Sequence, residues 1–203
     1  IVGAGFTGIS AAYHLVQNGI AVILLDAEAP LFGATGRNGG FCCLGGSKAS
    51  DAELDRLFGK DERMLFRQAE KEAVRLVRGL LDTNAINADT HSSGETMLAH
   101  RPKDAAEMPE LKSNILENYG VEATYHHKEE LMQLGLGGPF YGALTTPLGF
   151  GLNPRKYATG LLEVAMSKGV QVHGYSPVVE IESTKRGYDL RTPLAKVSVG
   201  TAN

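Results

Sequence analysis

A glycine-rich stretch at the start of the chain, residues 1–8 (IVGAGFTG), has the spacing of a phosphate-binding turn. In such a turn Gly3 lets the chain leave a buried strand sharply, and Gly5 lets the backbone approach a pyrophosphate with no Cβ in the way. Gly8 lets the following helix pack closely on the strand. Because the helix N-terminus presents N–H groups and a positive dipole to an anion, the stretch predicts a dinucleotide site.

The elements needed to position that turn follow in order. The pattern predicts a helix from about Thr7 to Asn18, then a buried strand over 20–25 that ends at Asp26. A carboxylate about 20 residues after the glycines can accept hydrogen bonds from both ribose hydroxyls. No Arg or Lys follows in 27–30, which argues against a 2′-phosphate on the ligand. The fingerprint alone does not separate FAD from NAD.

A second glycine cluster, residues 33–41 (GATGRNGGF), lies shortly after Asp26. Four glycines in this stretch disfavour a helix or a strand and favour a loop whose N–H groups converge on an anion. Arg37 adds a charged guanidinium, and the amide of Asn38 can both donate and accept hydrogen bonds. The alternative interpretation is a glycine loop without a ligand.

This second loop, set after a fingerprint that ends in Asp26, resembles the FAD-dependent amine and amino-acid oxidoreductases. They form the glycine oxidase/D-amino-acid oxidase superfamily, and the chain is most similar to its γ-glutamylputrescine oxidase-like branch. The resemblance implies non-covalent FAD, with the adenosine on the first βαβ unit and the second loop along the pyrophosphate and towards the flavin. The positions that match the family's two cofactor loops and ribose acid are Gly3, Gly5, Phe6, Thr7, Gly8, Asp26, Thr35, Gly36, Arg37, Asn38, Gly39 and Gly40.

The segment 153–178 continues the resemblance. Asn153 is a predicted N-cap and Pro154 suits the first position of the helix that follows. A strand is predicted at 178–182. The resemblance implies that the backbone of Val178 holds the adenine, whereas the residues alone make Val178 an ordinary strand residue.

The pattern as a whole predicts an α/β protein. It consists of a Rossmann-like FAD-binding domain with an inserted α+β substrate domain, and we expect it to be incomplete at both termini. Residues 1–90 are the predicted first part of the FAD-binding domain, 91–152 the substrate-domain portion, where the βαβ rhythm breaks, and 153–203 the return segment.

A long amphipathic helix is predicted from Asp61 to about Leu81. Its apolar stripe is predicted to be buried, and its charged positions are predicted to face solvent. The stripe consists of Leu65, Ala69, Ala73, Leu76 and Leu80, and the charged positions are Arg63, Arg67, Glu70 and Arg78. A capping box at 50–53 predicts a shorter helix before it.

Composition limits the function classes. The net charge of −3 and the absence of a Lys/Arg cluster give no indication of a nucleic-acid partner. The apolar run that begins at Ile20 is too short to cross a bilayer, so no transmembrane segment is predicted. The adjacent Cys42 and Cys43 suit a reducing compartment, which predicts a cytoplasmic location. The histidines lack metal-ligand spacing, so no metal site is predicted.

The resemblance implies oxidation of the C–N bond of a small amine or amino acid by hydride transfer to FAD, with oxygen or another acceptor reoxidising the flavin. Arg37 and Asn38 are predicted to tune the flavin, and no catalytic residue is assigned. We expect this stretch of chain to be inactive alone. Two alternatives remain open, an NAD-dependent Rossmann dehydrogenase and a non-catalytic flavin-binding module.

Overall fold

The computed structural model describes residues 1–46 and 48–200, which form two compact units. Unit 1 comprises Ile1–Gly40, Leu80–Asp89 and the chain from Asn153 onward, and unit 2 comprises Phe41–Gly79 and Thr90–Leu152. The helices are α1 (Phe6–Gln17), α2 (Asp51–Phe58), α3 (Lys60–Thr83), α4 (Pro102–Tyr119) and α5 (Pro154–Ser167). The strands are β1 (Ile23–Leu25), β2 (Phe41–Cys42), β3 (Glu95–Leu98), β4 (Thr124–His127), β5 (Gly142–Thr146), β6 (Phe150–Gly151), β7 (Gln171–His173), β8 (Glu180–Thr184), β9 (Gly187–Arg191) and β10 (Lys196–Gly200).

Unit 1 is built around a parallel strand pair. β1 pairs with β7 in parallel, and Val2 forms a further parallel bridge to Leu25. The helices α1 and α5 pack together beside this pair, and the rings of Phe6 and Tyr157 lie 5.7 Å apart at their centroids. Buried Ile9, Leu24 and Leu161 are among the core residues. The arrangement is a parallel β-sheet with covering helices, as the sequence predicts.

Local signals set the helix and strand ends in unit 1. The side chain of Asn153 accepts a hydrogen bond from the Lys156 N–H at 3.1 Å, which caps α5 as predicted. The strand predicted over 20–25 is confined to β1, and the strand predicted at 178–182 begins only at Glu180. β8, β9 and β10 follow as an antiparallel meander.

Unit 2 contains an antiparallel sheet of β3, β5 and β4 in that order. Its core is formed by four buried side chains from the sheet, from α4 and from the flanking loops. They are Ala99, Met108, Ala123 and Leu144. The helix α4 packs on β4 and β5, which gives the unit the α+β character predicted for the inserted domain.

The boundaries of the units differ from the predicted domains, because residues 41–79 cluster with 90–152 and not with 1–40. Their partners explain this placement: β2 pairs antiparallel with β6, and Arg63 donates a hydrogen bond to the side chain of Asn118 on α4. The compact units thus divide the stretch 1–90, which is predicted as one part of the FAD-binding domain. The assignment of the units to FAD and substrate roles stays a prediction.

The helix predicted from Asp61 to Leu81 exists as α3, but the predicted orientation is wrong. Leu65 is 63% exposed and Leu76 is 47% exposed, whereas Arg63 and Arg67 are only 5% and 8% exposed.

Carboxylates from several elements meet these two arginines. Arg63 donates to Asp55 at 2.7 Å, and Arg67 donates to Asp51 at 2.7 Å and to Glu70 at 2.8 Å. Since every buried charge has a partner, α3 can turn its charged side inwards.

Removal of one buried partner should be costly. Replacing Arg67 by Met leaves the buried carboxylate of Glu70 without a guanidinium and removes the nearer of the two guanidinium partners of Asp51. We therefore expect the free energy of unfolding, measured in urea, to fall by about 3–5 kcal/mol. Adding Glu70→Gln should recover part of this loss, because a neutral amide still accepts the hydroxyl of Tyr119. Arg101→Met, which breaks an exposed pair with Asp104, is the control. Equal losses for Arg67→Met and Arg101→Met would contradict this account.

The same cluster predicts a dependence of stability on pH. Partial burial acts to raise the pKa of Asp51, but hydrogen bonds from Asn118 and Arg67 lower that pKa further than burial raises it. A lowered pKa in the folded state stabilises the protein fully above the ordinary value of about 4, and this stabilisation is lost as the pH falls through the lowered pKa. We therefore expect Asp51→Asn to flatten the acid limb of a stability-versus-pH curve, with the exposed first-turn variant Asp61→Asn as its control. An unchanged acid limb in Asp51→Asn would overturn the assignment.

Candidate dinucleotide-binding site

The first glycine turn is hydrogen-bonded to the strand beside it. The Gly3 N–H donates to the Leu25 carbonyl at 2.7 Å, and the Leu25 N–H donates to the Ile1 carbonyl at 2.9 Å. Gly3 adopts a φ of +97°, which disfavours any residue with a side chain. The tight exit from the strand predicted for Gly3 is therefore present.

The other two glycines of the fingerprint allow close approach. A Cβ at Gly8 would lie 1.9 Å from the carbonyl oxygen of Gly3, so α1 packs directly against the turn. A Cβ at Gly5 would lie 3.0 Å from the hydroxyl oxygen of Thr35. Gly8 thus allows the close packing of α1 that the spacing predicts, whereas the approach of Gly5 to a pyrophosphate stays a prediction.

The N-terminus of α1 carries free donors. In the part of the chain that the structure describes, the N–H groups of Gly5, Thr7 and Gly8 have no hydrogen-bond partner, and the first turn has no acidic residue. The Phe6 N–H donates to the hydroxyl of Thr35 at 3.1 Å. Unpaired N–H groups at a helix N-terminus suit a phosphate anion, so this cradle fits the pyrophosphate of a dinucleotide.

Asp26 is half-buried at the end of β1 and already holds part of the backbone. Its Oδ2 accepts the Ala4 N–H at 2.6 Å and its Oδ1 accepts the Glu28 N–H at 2.9 Å. Sequence reasoning missed this bracing of the glycine turn. Each carboxylate oxygen has a second acceptor position, so the carboxylate can still accept ribose hydroxyls.

The second glycine loop lies against the first turn. The Leu31 N–H donates to the Ala4 carbonyl at 3.2 Å, close in sequence to the contact between Thr35 and Phe6. Leu31 has a φ of +68°, a conformation that its sequence does not signal. A Cβ at Gly36 would lie 2.8 Å from the Leu31 carbonyl oxygen, so Gly36 is needed for this fold of the loop. The structure therefore brings the two predicted loops together.

The polar side chains of the second loop have local roles. Asn38 donates to the carbonyls of Ala34 and Thr35 at 3.1 and 3.0 Å, and its Oδ1 accepts the Gly40 N–H at 2.9 Å. The exposed guanidinium of Arg37 lies 4.2 Å from the centroid of the Phe32 ring. Asn38 thus closes the loop on itself, and the roles of Arg37 and Asn38 toward a flavin stay predictions.

The remaining residues that are predicted to bind the cofactor differ in solvent exposure. Gly39 is exposed, whereas Gly40 is buried with a φ of +75°. Val178 is half-buried in the connection between β7 and β8, outside any strand.

The connection that contains Val178 starts beside Asp26. The Asp26 N–H donates to the His173 carbonyl at 3.0 Å, and the Ser176 N–H donates to the Asp26 carbonyl at 2.7 Å. The backbone of Val178 has no hydrogen-bond partner among residues 1–46 and 48–200, so it remains available to a ligand.

The cysteines that follow the second loop are free thiols. Burial, together with the neighbouring Glu95, raises the pKa of Cys43 to about 12. Cys43 is therefore protonated at neutral pH, which disfavours a nucleophilic role.

Residues 1–46 and 48–200 offer neither a metal centre nor a membrane-spanning helix. Among them, no group of His, Cys, Asp and Glu side chains is arranged to hold a metal ion. None of the helices in this part of the chain has the length and apolarity needed to cross a membrane.

Comparison with known proteins gives consistent similarities. The sequence profile of the DAO family, described as FAD dependent oxidoreductase, matches residues 1–201. The chain is 26% identical over 97% of its length to the probable oxidoreductase OrdL of Haemophilus influenzae, covering 46% of that protein. It is 29% identical over 91% of its length to the γ-glutamylputrescine oxidoreductase of Escherichia coli, covering 43% of it. The chain thus spans less than half the length of these curated relatives.

Among solved structures, glycine oxidase from Geobacillus kaustophilus superimposes with a TM-score of 0.74 at 20% identity. The match covers 96% of this chain and 51% of the oxidase. This agreement confirms the predicted fold class.

The close approach at Gly8 can be tested directly. In Gly8→Ala the new methyl group meets the backbone of Gly3, so α1 must move away from the turn, and we expect weaker dinucleotide binding and a lower melting temperature. Gly79→Ala is the control, because Gly79 lies outside both glycine loops and its Cβ would meet no atom within 4 Å. Calorimetric titration and thermal unfolding measure both effects, and equal behaviour of the two variants would contradict the proposed packing role.

Proposed function

The chain belongs to the DAO family of FAD-dependent oxidoreductases, as its resemblance predicts, and from this premise we propose that the whole protein oxidises the C–N bond of a small amine or amino acid. The observation that carries the proposal is the joining of the two glycine loops at the hydrogen bond from Phe6 to Thr35. Beside that joint the N–H groups of Gly5, Thr7 and Gly8 are left free for a diphosphate.

Different residues would hold different parts of FAD. The N-terminus of α1 binds the pyrophosphate, Asp26 accepts the ribose hydroxyls, and the backbone of Val178 contacts the adenine. The second loop, whose shape Asn38 fixes, runs along the pyrophosphate towards the flavin. When bound, FAD supplies the acceptor for a hydride from the carbon that bears the amine. Oxygen or another acceptor would take up the electrons that the cofactor receives.

The relatives support an amine substrate. The Escherichia coli relative is a γ-glutamylputrescine oxidoreductase and the structural neighbour is a glycine oxidase. The family match and the second glycine loop both favour FAD over the alternative of an NAD-dependent dehydrogenase.

Purification of the whole protein tests the proposal. We expect a yellow protein that releases FAD on denaturation and that consumes oxygen, or reduces an added acceptor, with one class in a screen of amines and amino acids. A protein that cannot be loaded with FAD, or that releases NAD, would overturn the cofactor assignment. A protein that binds FAD but oxidises no amine in the screen would favour the non-catalytic module.

Asp26 provides a test of the cofactor geometry. In Asp26→Asn only one acceptor oxygen remains for the N–H groups of Ala4 and Glu28, and the charge that strengthens both bonds is removed. The ribose contact weakens as well, so we expect the dissociation constant for FAD to rise about tenfold or more. Glu28→Gln, an exposed carboxylate in the same turn, is the control. Titration of FAD into apoprotein measures both variants. An unchanged affinity in Asp26→Asn would refute its role.

A further inference from the structure

Three segments of unit 2 meet at Gly151. Phe41 of β2 lies opposite Gly151 of β6, and His91 bridges Gly151 from the other side. The His91 N–H donates to the Gly151 carbonyl at 3.0 Å, and the Gly151 N–H donates to the His91 carbonyl at 2.9 Å. Directly opposed residues of antiparallel strands project to the same face. Phe41 and His91 therefore flank a position that has no side chain of its own.

The imidazole of His91 occupies the space over Gly151. A Cβ at Gly151 would lie 2.2 Å from Cε1 and 2.5 Å from Nε2 of that ring. The Nδ1 atom lies 2.9 Å from the hydroxyl oxygen of Ser92. When Nδ1–H donates to Ser92, Nε2 is a hydrogen-bond acceptor, and it has no partner within the described part of the chain.

Phe41 is unusually open for an aromatic residue, with 82% of its surface exposed. The opposite face of the same strand pair carries Cys42 and Phe150, and Phe150 is 3% exposed beneath the guanidinium of Arg78. The inward face is thus packed. The outward face presents the phenyl ring of Phe41 and the Nε2 atom of His91, with Gly151, which has no side chain, between the two residues.

These groups suit an organic ammonium ion. The face of an aromatic ring attracts a cation, and the N–H groups of an ammonium need acceptors. Phe41 also follows Gly39 and Gly40 directly in sequence, at the end of the loop assigned to the cofactor.

We propose that Phe41 and His91 bind the amino group of the substrate, the phenyl ring contacting the ammonium and Nε2 accepting one of its hydrogens. This inference rests on the proposed function and names the substrate-binding residues of that site. The imidazole of His91 can lie over Gly151 only because this residue has no side chain, so Gly151 is part of the same site.

The test uses the whole protein loaded with FAD and the best amine from the screen. His91→Phe keeps a flat ring but removes the acceptor, and Phe41→Leu keeps an apolar side chain but removes the π face. For each we expect KM to rise about tenfold with kcat within about threefold of the wild type, and the affinity for FAD to be unchanged. His14→Gln, which removes an exposed imidazole on α1, is the control and should leave KM unchanged.

The outcomes separate the inference from the proposed function. If the wild type oxidises the amine and both variants keep its KM, the inference is overturned while the proposed function stands. If the wild type oxidises no amine, the proposed function fails, and calorimetric titration with butylammonium chloride judges the inference. Binding to the wild type that weakens in both variants supports the inference, whereas no binding, or equal binding, overturns it.

Discussion

The hydrogen bond from the Phe6 N–H to the Thr35 hydroxyl is the contact on which the candidate site depends. It ties the start of α1 to a loop far along the chain, and the Leu31 N–H adds a second tie to the Ala4 carbonyl. These ties hold the two glycine loops side by side, as the proposed shared diphosphate site requires. The glycines make close approach sterically possible, but the hydroxyl of Thr35 fixes which segments approach.

The sequence predicts the cofactor site best where the constraint is local. Gly3, Gly5 and Gly8 act within one turn, so their spacing carries the geometry that the structure shows. The bracing role of Asp26 and the left-handed Leu31 depend on neighbours brought together by folding, and no local pattern encodes them. Asn38 illustrates the same limit, because its residue type predicts hydrogen bonding but not which partners it finds.

The dependence on distant neighbours also explains why the orientation predicted for α3 is wrong. Periodicity locates the helix well, but it assigns a buried side by hydrophobicity alone. The partners of Arg67 include Asp51 of α2, on a different element, and a pattern confined to one helix cannot reveal them. Other bonds of this cluster, from Arg63 to Asn118 and from Tyr119 to Glu70, join residues 41–79 to residues 90–152. The charged side of α3 is therefore buried among partners from α2 and α4, which a pattern within α3 cannot predict.

The proposed cofactor site uses mainly backbone groups, whereas the proposed amine site uses side chains. This difference is compatible with a common fold at low sequence identity. The proposed pyrophosphate site consists mainly of backbone N–H groups and glycines, so most other positions can change while the cofactor geometry persists. In the proposed amine site, the contacts come instead from the side chains of Phe41 and His91, which a single substitution can alter. A cofactor cradle made of backbone is therefore compatible with identities as low as 26% and 29% to the two curated relatives. On this reasoning, the residue types at positions 41, 91 and 151 are more informative about the amine than the glycine fingerprints are.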